Sequence, residues 1–283
     1  MNSIFSLLAT GLLTLASIAS AQSAGGAALL ARYESLQPQL ARSPFQRPLL
    51  LQSQGSDGAP QGDVYAVIAH PMSSVAPALQ RPAQWCEVLL LQLNIKRCQP
   101  AENSLRLAIG QKSALLSAAT QPLVFGFALG SATPDYLAVQ LSAAEGPLGT
   151  RDYRLGLEAV PLPDGRSFVH MRYAYSNGTA ARLATSAYLS TLGRNKVGFS
   201  ITGHDARGQP IYVGGVQGVA ERNAMRYFLA IEVVLDSLSL PPQQRLERRL
   251  RDWFAATERH ALQLHEMELD EYLAMKRAEP GAR

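Results

Sequence analysis

The chain has 283 residues, 47% of them hydrophobic and 17% charged, with a net charge of +4. The positive charge is spread along the chain. No Lys/Arg block has the density of a nucleic-acid arm and no aromatic-rich RNA-binding signature appears, so no nucleic-acid partner is expected.

Residues 4–18 form a mostly apolar run without a charge, followed by Ala19-Ser20-Ala21. The A-x-A pattern reads as a cleavable secretory signal over residues 1–21. The run is shorter than the roughly 20 residues of a spanning helix. Because the segment before it lacks Lys and Arg, an uncleaved anchor is the alternative. With no cysteine at the cleavage site, no lipoprotein anchor is expected. No later stretch is apolar for long enough to span a bilayer, so the expectation is export with release, into the periplasm. The rest is long enough for one large domain with a tail or two small domains.

Helical spacing follows at Ala27–Gln37 (Leu29, Leu30, Tyr33, Leu36), ended by Pro38 and Pro44. A first strand is expected at Arg47–Ser53, a loop over 54–62 and a second strand at Gly62–His70. Short helices are expected at 72–80 and 83–91. Cys86 and Cys98 are the only cysteines. In an oxidising compartment an isolated pair at this spacing is most simply a disulfide, which would stabilise the fold by roughly 3 kcal/mol. A redox or metal pair would need C-x-x-C-like spacing or nearby partners, and neither is present.

β-patterns recur at Leu105–Ile109, Leu123–Leu129, Tyr136–Leu141, Tyr153–Val160 and Ser167–Tyr175. The last two flank Asp164-Gly165, a strong hairpin signal. A helix is expected at Ala180–Leu192, then strands at Val197–Thr202 and Ile211–Val216. Glu221–Leu238 is strongly helical, with Met225, Phe228, Leu229, Ile231, Val234 and Leu235 in one apolar stripe. Pro241-Pro242 opens a second helix, from Gln243 to about Arg277. The expected class is α+β, an antiparallel sheet of six or more strands with helices around it.

The stretch 62–90 carries a resemblance to a known family. Its strand (Val64, Ala66, Ile68 on one face) ends at Pro71, short helices follow, and Pro82 and Trp85 precede a long aliphatic run. This order resembles the opening of the START/SRPBCC superfamily of helix-grip lipid-binding domains, and the likeness extends over about residues 27–240. The resemblance implies a curved sheet gripping a long C-terminal helix, Glu221–Leu238, whose apolar stripe lines or caps a cavity. The domain would then span residues 22–240, with 241–283 as an added amphipathic helical tail.

Catalytic machinery is hard to find. His260 and His265 lack the i, i+4 spacing of a metal pair, and His70, His170 and His204 carry no metal motif. G-x-S-x-G is absent. The glycines at 214, 215 and 218 fit neither a P-loop nor a Rossmann fingerprint, and Gly203-His204-Asp205 reads as a turn. No cofactor or metal is therefore expected. Arg222 and Arg226 are i, i+4 neighbours. With Asn223 and Tyr227, they are candidates for holding a carboxylate or phosphate headgroup. The plainer reading makes Glu221 a first-turn acid and leaves the arginines solvated or paired with sheet acids. Arg172 and Tyr173, with Tyr175, are candidates for facing the cavity.

The tail carries Leu246, Leu250, Trp253, Thr257, Ala261, Leu264 and Met267 as a stripe. Arginines dominate 245–251 and acids dominate 266–271, against the dipole of a single helix. The stripe suits docking on the domain; a homodimer or peripheral membrane contact through residues 243–277 is the alternative. The expectation is an exported protein that binds a lipid or other apolar or amphipathic small molecule. The alternatives are an envelope assembly protein acting through its tail and an enzyme on the same fold.

Overall fold

The computed structural model describes residues 9–56, 58–112, 120–178 and 196–279, with side chains from residue 24 onward. The helix expected at 180–192 lies outside the described residues.

Helix α1 spans Ala9–Ala41 and runs through Pro38, where a stop was expected. Pro38 lies one turn from the helix end, and the carbonyl it leaves without an N–H partner belongs to exposed Glu34, within reach of water. Leu29, Leu36 and Leu40 form the buried face of α1, packed on Tyr65, Val67, Tyr136, Val160 and Phe168.

Strands β1 (Leu49–Ser56) and β2 (Ala59–Ile68) form a long hairpin, paired from Leu49↔Ala66 to Ser56↔Ala59. Most of the loop expected at 54–62 is therefore strand. Its Gly, Gln and Ser residues have little strand preference, and the ladder with the partner strand overrides it. Helices α2 (Met72–Leu79) and α3 (Pro82–Leu89) lie where expected, and Trp85 Nε1 donates to Leu79 O at 2.7 Å. The Cys86–Cys98 disulfide is formed, with Cα atoms 5.4 Å apart. It ties α3 to β3 (Ile95–Ala101), a strand that the sequence pattern does not announce. Lys96, Arg97 and Pro100 obscure it, and such residues are tolerated because β3 is an edge strand.

The remaining strands are β4 (Ser104–Ile109), β5 (Gln121–Ala132), β6 (Leu137–Glu145), β7 (Thr150–Pro161) and β8 (Ser167–Asn177). Together they make one antiparallel sheet in the order β1-β2-β8-β7-β6-β5-β4-β3. The β7–β8 turn places Gly165 at φ +80°, as the Asp-Gly signal requires. Strands β9 (Ile201–His204) and β10 (Pro210–Tyr212) form a separate small hairpin.

Helix α4 (Gly215–Asp236) lies across β1, β2 and β8 on the face opposite α1. Its stripe (Met225, Phe228, Leu229, Ile231, Val234, Leu235) is buried together with Val64, Ala66, Leu155 and Met171. A Cβ built on Gly62 would stand 2.7 Å from Ala220 O and 3.0 Å from Ala224 Cβ, so the missing side chain permits the close approach of β2 to α4.

The tail is three helices, not one: α5 (Pro242–Glu258), α6 (Ala261–Leu264) and α7 (Leu269–Ala278). The break resolves the unfavourable charge order. As a separate helix, α7 carries Asp270 and Glu271 in its first turn and Lys276 and Arg277 in its last, in line with its dipole. Trp253 and Tyr272 are buried with ring centroids 5.3 Å apart, and the Tyr272 hydroxyl donates to Leu91 O at 3.0 Å. Leu250, Trp253, Leu264 and Met267 of the predicted stripe belong to the same core as the sheet.

Two outcomes follow from this packing. Replacing Cys86 and Cys98 by serine is expected to lower the unfolding free energy by about 2–4 kcal/mol in denaturant titration, with β3 losing amide protection first. Gly62→Ala is expected to cost roughly 1–3 kcal/mol by forcing α4 off β2, seen as a lower denaturation midpoint at unchanged slope.

Candidate functional site

The inner sheet face ends, beside the β7–β8 pair Thr150↔Asn177, in a group of aromatic side chains. Alternation along β8 puts Tyr173, Tyr175 and Asn177 on this face. Tyr153 of β7 stacks on Tyr175 at 5.7 Å and meets Phe125 of β5 edge-on at 6.1 Å. From α4, Tyr227 stacks on Tyr173 at 5.4 Å, and Asn223 hydrogen-bonds the Tyr173 side chain. Burial drives the hydroxyls of Tyr173 and Tyr227 well above the ordinary tyrosine range and pushes Tyr175 up to about 12, so the phenols are neutral at physiological pH. Tyr153 and Tyr227 nevertheless keep accessible surface. Their accessible edges mark the open side of this aromatic group, the recess.

Asn177 adds a polar group to this end of the sheet. It is 5% exposed, and its side chain interacts with the Tyr175 hydroxyl, opposing the upward push of burial. The recess can hold an apolar or aromatic body by stacking and can hydrogen-bond a polar end.

The residues singled out in the sequence do not all converge. Tyr173, Asn223 and Tyr227 meet at the recess. Arg172, one residue from Tyr173, lies on the outer face, where its Nε donates to Asp63 Oδ1 at 2.9 Å. Arg222 donates to Val197 O at 3.1 Å. Arg226 turns toward the tail and donates to Glu266 Oε1 at 2.7 Å and Leu264 O at 3.2 Å. Glu221 is not a first-turn acid, because α4 begins at Gly215. It is fully buried and accepts from Ser53 Oγ, Ser200 Oγ and the Phe199 and Ser200 amides at 2.6–2.9 Å. Cys86 and Cys98 are remote from the recess in role, bracing α3 to the sheet edge.

The outer face carries a polar network that the sequence pattern does not reveal, because its members lie on three strands. His170 sits between Asp63 (Nε2 to Oδ1, 2.7 Å) and Glu158 (Nδ1 to Oε2, 3.0 Å), stacked 4.3 Å from Tyr65. Burial alone would lower the His170 pKa, but the two carboxylates raise it. Burial likewise pushes Asp63 up, yet hydrogen bonds from His170, Gln61 and Arg172 hold it at about 2. A hollow of about 230 Å³ opens beside His170 and Arg172, and one of about 480 Å³ lies between Arg32, Gln52 and Tyr65. Among the described residues, no group of three or more His, Cys, Asp or Glu side chains is placed to hold a metal ion.

Seven strands run in the order β2-β8-β7-β6-β5-β4-β3, with two helices after the first strand and a long helix after the last, and the aromatic group lies between the sheet and that helix. This is the helix-grip fold. No protein-family model and no curated protein matches the chain. Solved structures with similarity include human StAR-related lipid transfer protein 5, at 10% identity over 60% of this chain and 90% of that one, with a TM-score of 0.31. Norcoclaurine synthase from Thalictrum flavum, in complex with dopamine and hydroxybenzaldehyde, is 13% identical over 51% and 88%, with a TM-score of 0.34. A protein from Arthrobacter aurescens is 12% identical over 66% and 92%, with a TM-score of 0.35. At these values it is the chain's own strand order and helix placement that define the fold.

The Asp63 carboxylate is held near 2 in the folded protein against an ordinary 3.8. Its stabilisation is therefore present above about pH 4 and lost as pH falls toward 2, a contribution of about 2 kcal/mol at neutral pH. His170 acts in the opposite sense, since its raised pKa contributes stability below the ordinary histidine value that disappears as pH rises through the folded one. Asp63→Asn is expected to lower stability at pH 6 and to flatten its dependence between pH 4 and pH 2, measured by urea denaturation across that range.

Proposed function

We propose that this is an exported protein that binds one apolar or amphipathic small molecule, of the lipid class, in the recess under the first half of α4. The observation that carries the reading is the convergence of Tyr153, Tyr173, Tyr175 and Tyr227 on partly accessible space below a helix laid across a sheet. Stacked neutral aromatic rings with a few hydroxyl and amide groups suit a ligand that is apolar along its body and polar at one end. Further along α4 the stripe from Phe228 to Leu235 is packed core, so the ligand occupies the Tyr173 end of the helix only. Export is supported by the uncharged run 4–18 before Ala19-Ser20-Ala21, and by a disulfide, which persists in oxidising compartments.

The reading is tested by native mass spectrometry with lipid extraction on protein purified from an exporting host. The expected result is a single co-purifying lipid per chain, its occupancy reduced about tenfold in Tyr227→Ala while circular dichroism is unchanged. A ligand-free spectrum, together with no saturable binding of a fluorescent fatty-acid probe, rejects it.

A further inference from the structure

On the outer face, opposite the recess, one row of residues crosses five strands. The register sets Asp63 beside Arg172, Arg172 beside Gly156, Gly156 beside Gln140 and Gln140 beside Ala128. Residues in register on neighbouring strands share a face, so these are lateral neighbours. Gly156 leaves a gap in the row between a guanidinium and an amide. Ala128 and, in the next row, Ala138 are too small to fill it, and the hollow of about 230 Å³ opens there. A Cβ built on Gly156 would have Gln140 Oε1 at 3.8 Å and Arg172 Cβ at 3.9 Å as its nearest contacts, and the residue is outside the left-handed region. Neither packing nor backbone conformation calls for glycine here.

Two charges of opposite sign border the gap. Arg172 is held by Asp63, whose carboxylate takes its Nε at 2.9 Å and is itself enclosed, with a side chain 4% accessible. That contact uses one of the five N–H groups of a guanidinium. The Arg172 side chain is 43% accessible and lines the hollow. Glu158, which pairs with His170, lies diagonal to Arg172 on the same face, at a Cα separation of roughly 7–8 Å by strand geometry. A hydrogen bond from His170, aided by the Tyr136 hydroxyl and against the effect of burial, keeps the Glu158 carboxyl below the ordinary range, so it is ionised at neutral pH. Each of its oxygens retains a lone pair after the bonds to Tyr136 and His170.

We propose that this hollow binds a free α-amino acid in its zwitterionic form, with the carboxylate on Arg172, the ammonium between Glu158 and Gln140, and a small apolar side chain over Ala128 and Ala138. A guanidinium takes a carboxylate through two parallel N–H groups, which fixes its plane as well as its charge. An ammonium carries three donors, and the Glu158 carboxylate and the Gln140 carbonyl accept two of them. A ligand with one charge would meet only one wall. The site shares no residue with the tyrosine recess and lies on the other face of the sheet, so the two readings stand or fall separately.

The test is titration calorimetry at pH 7 on protein purified from an exporting host, with L-alanine and L-valine as probes and propionate and ethylamine as single-charge controls. Saturable binding of one amino acid per chain is expected, at least tenfold tighter than either control. Arg172→Gln and Glu158→Gln are each expected to weaken it at least tenfold. Both also remove a structural contact, so Gly156→Val is the deciding variant. A branched side chain suits a strand and fills the open position, so binding is expected to be abolished while the melting temperature is unchanged or raised. Should Gly156→Val melt lower instead, Gln140→Leu, which removes the amide at similar size, decides in its place, with the same loss expected. No saturable binding of either amino acid, a single-charge control binding as tightly as L-alanine, or full binding in the deciding variant overturns the proposal.

Discussion

The contact of α4 with β2 at Gly62 governs the arrangement of everything placed on that helix. With Ala220 and Ala224 lying against a strand residue that has no side chain, α4 is held close and in one rotational setting. That setting sends Glu221 into the hydroxyls of Ser53 and Ser200, Tyr227 onto Tyr173, and Arg226 outward to the tail. A helix has one face per heading, so a small rotation would misplace all three together. Arg47 paired with Glu232 and resting 5.5 Å from the Phe228 ring centroid secures the other half of the helix.

Much of the architecture was legible because its signals are local. The hairpin at Asp164-Gly165, the proline-bounded helices between β2 and β3, and the cysteine pair each involve residues close in sequence. Apolar alternation recovered β4 through β8, and the 3.6-residue stripe recovered α4. Where the reading failed, pairing or packing with another segment decided the outcome. The polar residues at 54–62 became strand because β1 and β2 pair along their whole length, and Pro100 did not prevent β3 because an edge strand leaves one side of its backbone free. The tail pattern looked continuous because hydrophobic spacing does not register that Glu266 has cations waiting on three other segments.

The candidate site was legible only in part for the same reason. Tyr173, Asn223 and Tyr227 stood out by position, but Tyr153, Phe125 and Asn177 join them only through the register of β5, β7 and β8. Arg172 and Tyr173, neighbours in sequence, are necessarily on opposite faces of a strand. Arg222 and Arg226 share a helix face as expected, yet each is held by a different internal acceptor. Arg226, Arg249 and His170 are matched by partners drawn from distant segments, which sequence spacing cannot display.

The strand order has a kinetic side. Strand β2 lies between β1 and β8, so Asp63 and His170 meet across a sequence separation of 107 residues. Until β8 has formed, the β1–β2 hairpin has no second neighbour and its inner edge is open to any other strand. Contacts of such separation close slowly, because the loop entropy comes due before the pairing returns it. A chain synthesised from the amino end therefore carries this unpaired edge until the residues of β8, Ser167–Asn177, have emerged. The α1 face and the β1–β2 hairpin wait for the strand that unites them, and that delay is the interval in which the protein is most exposed to aggregation.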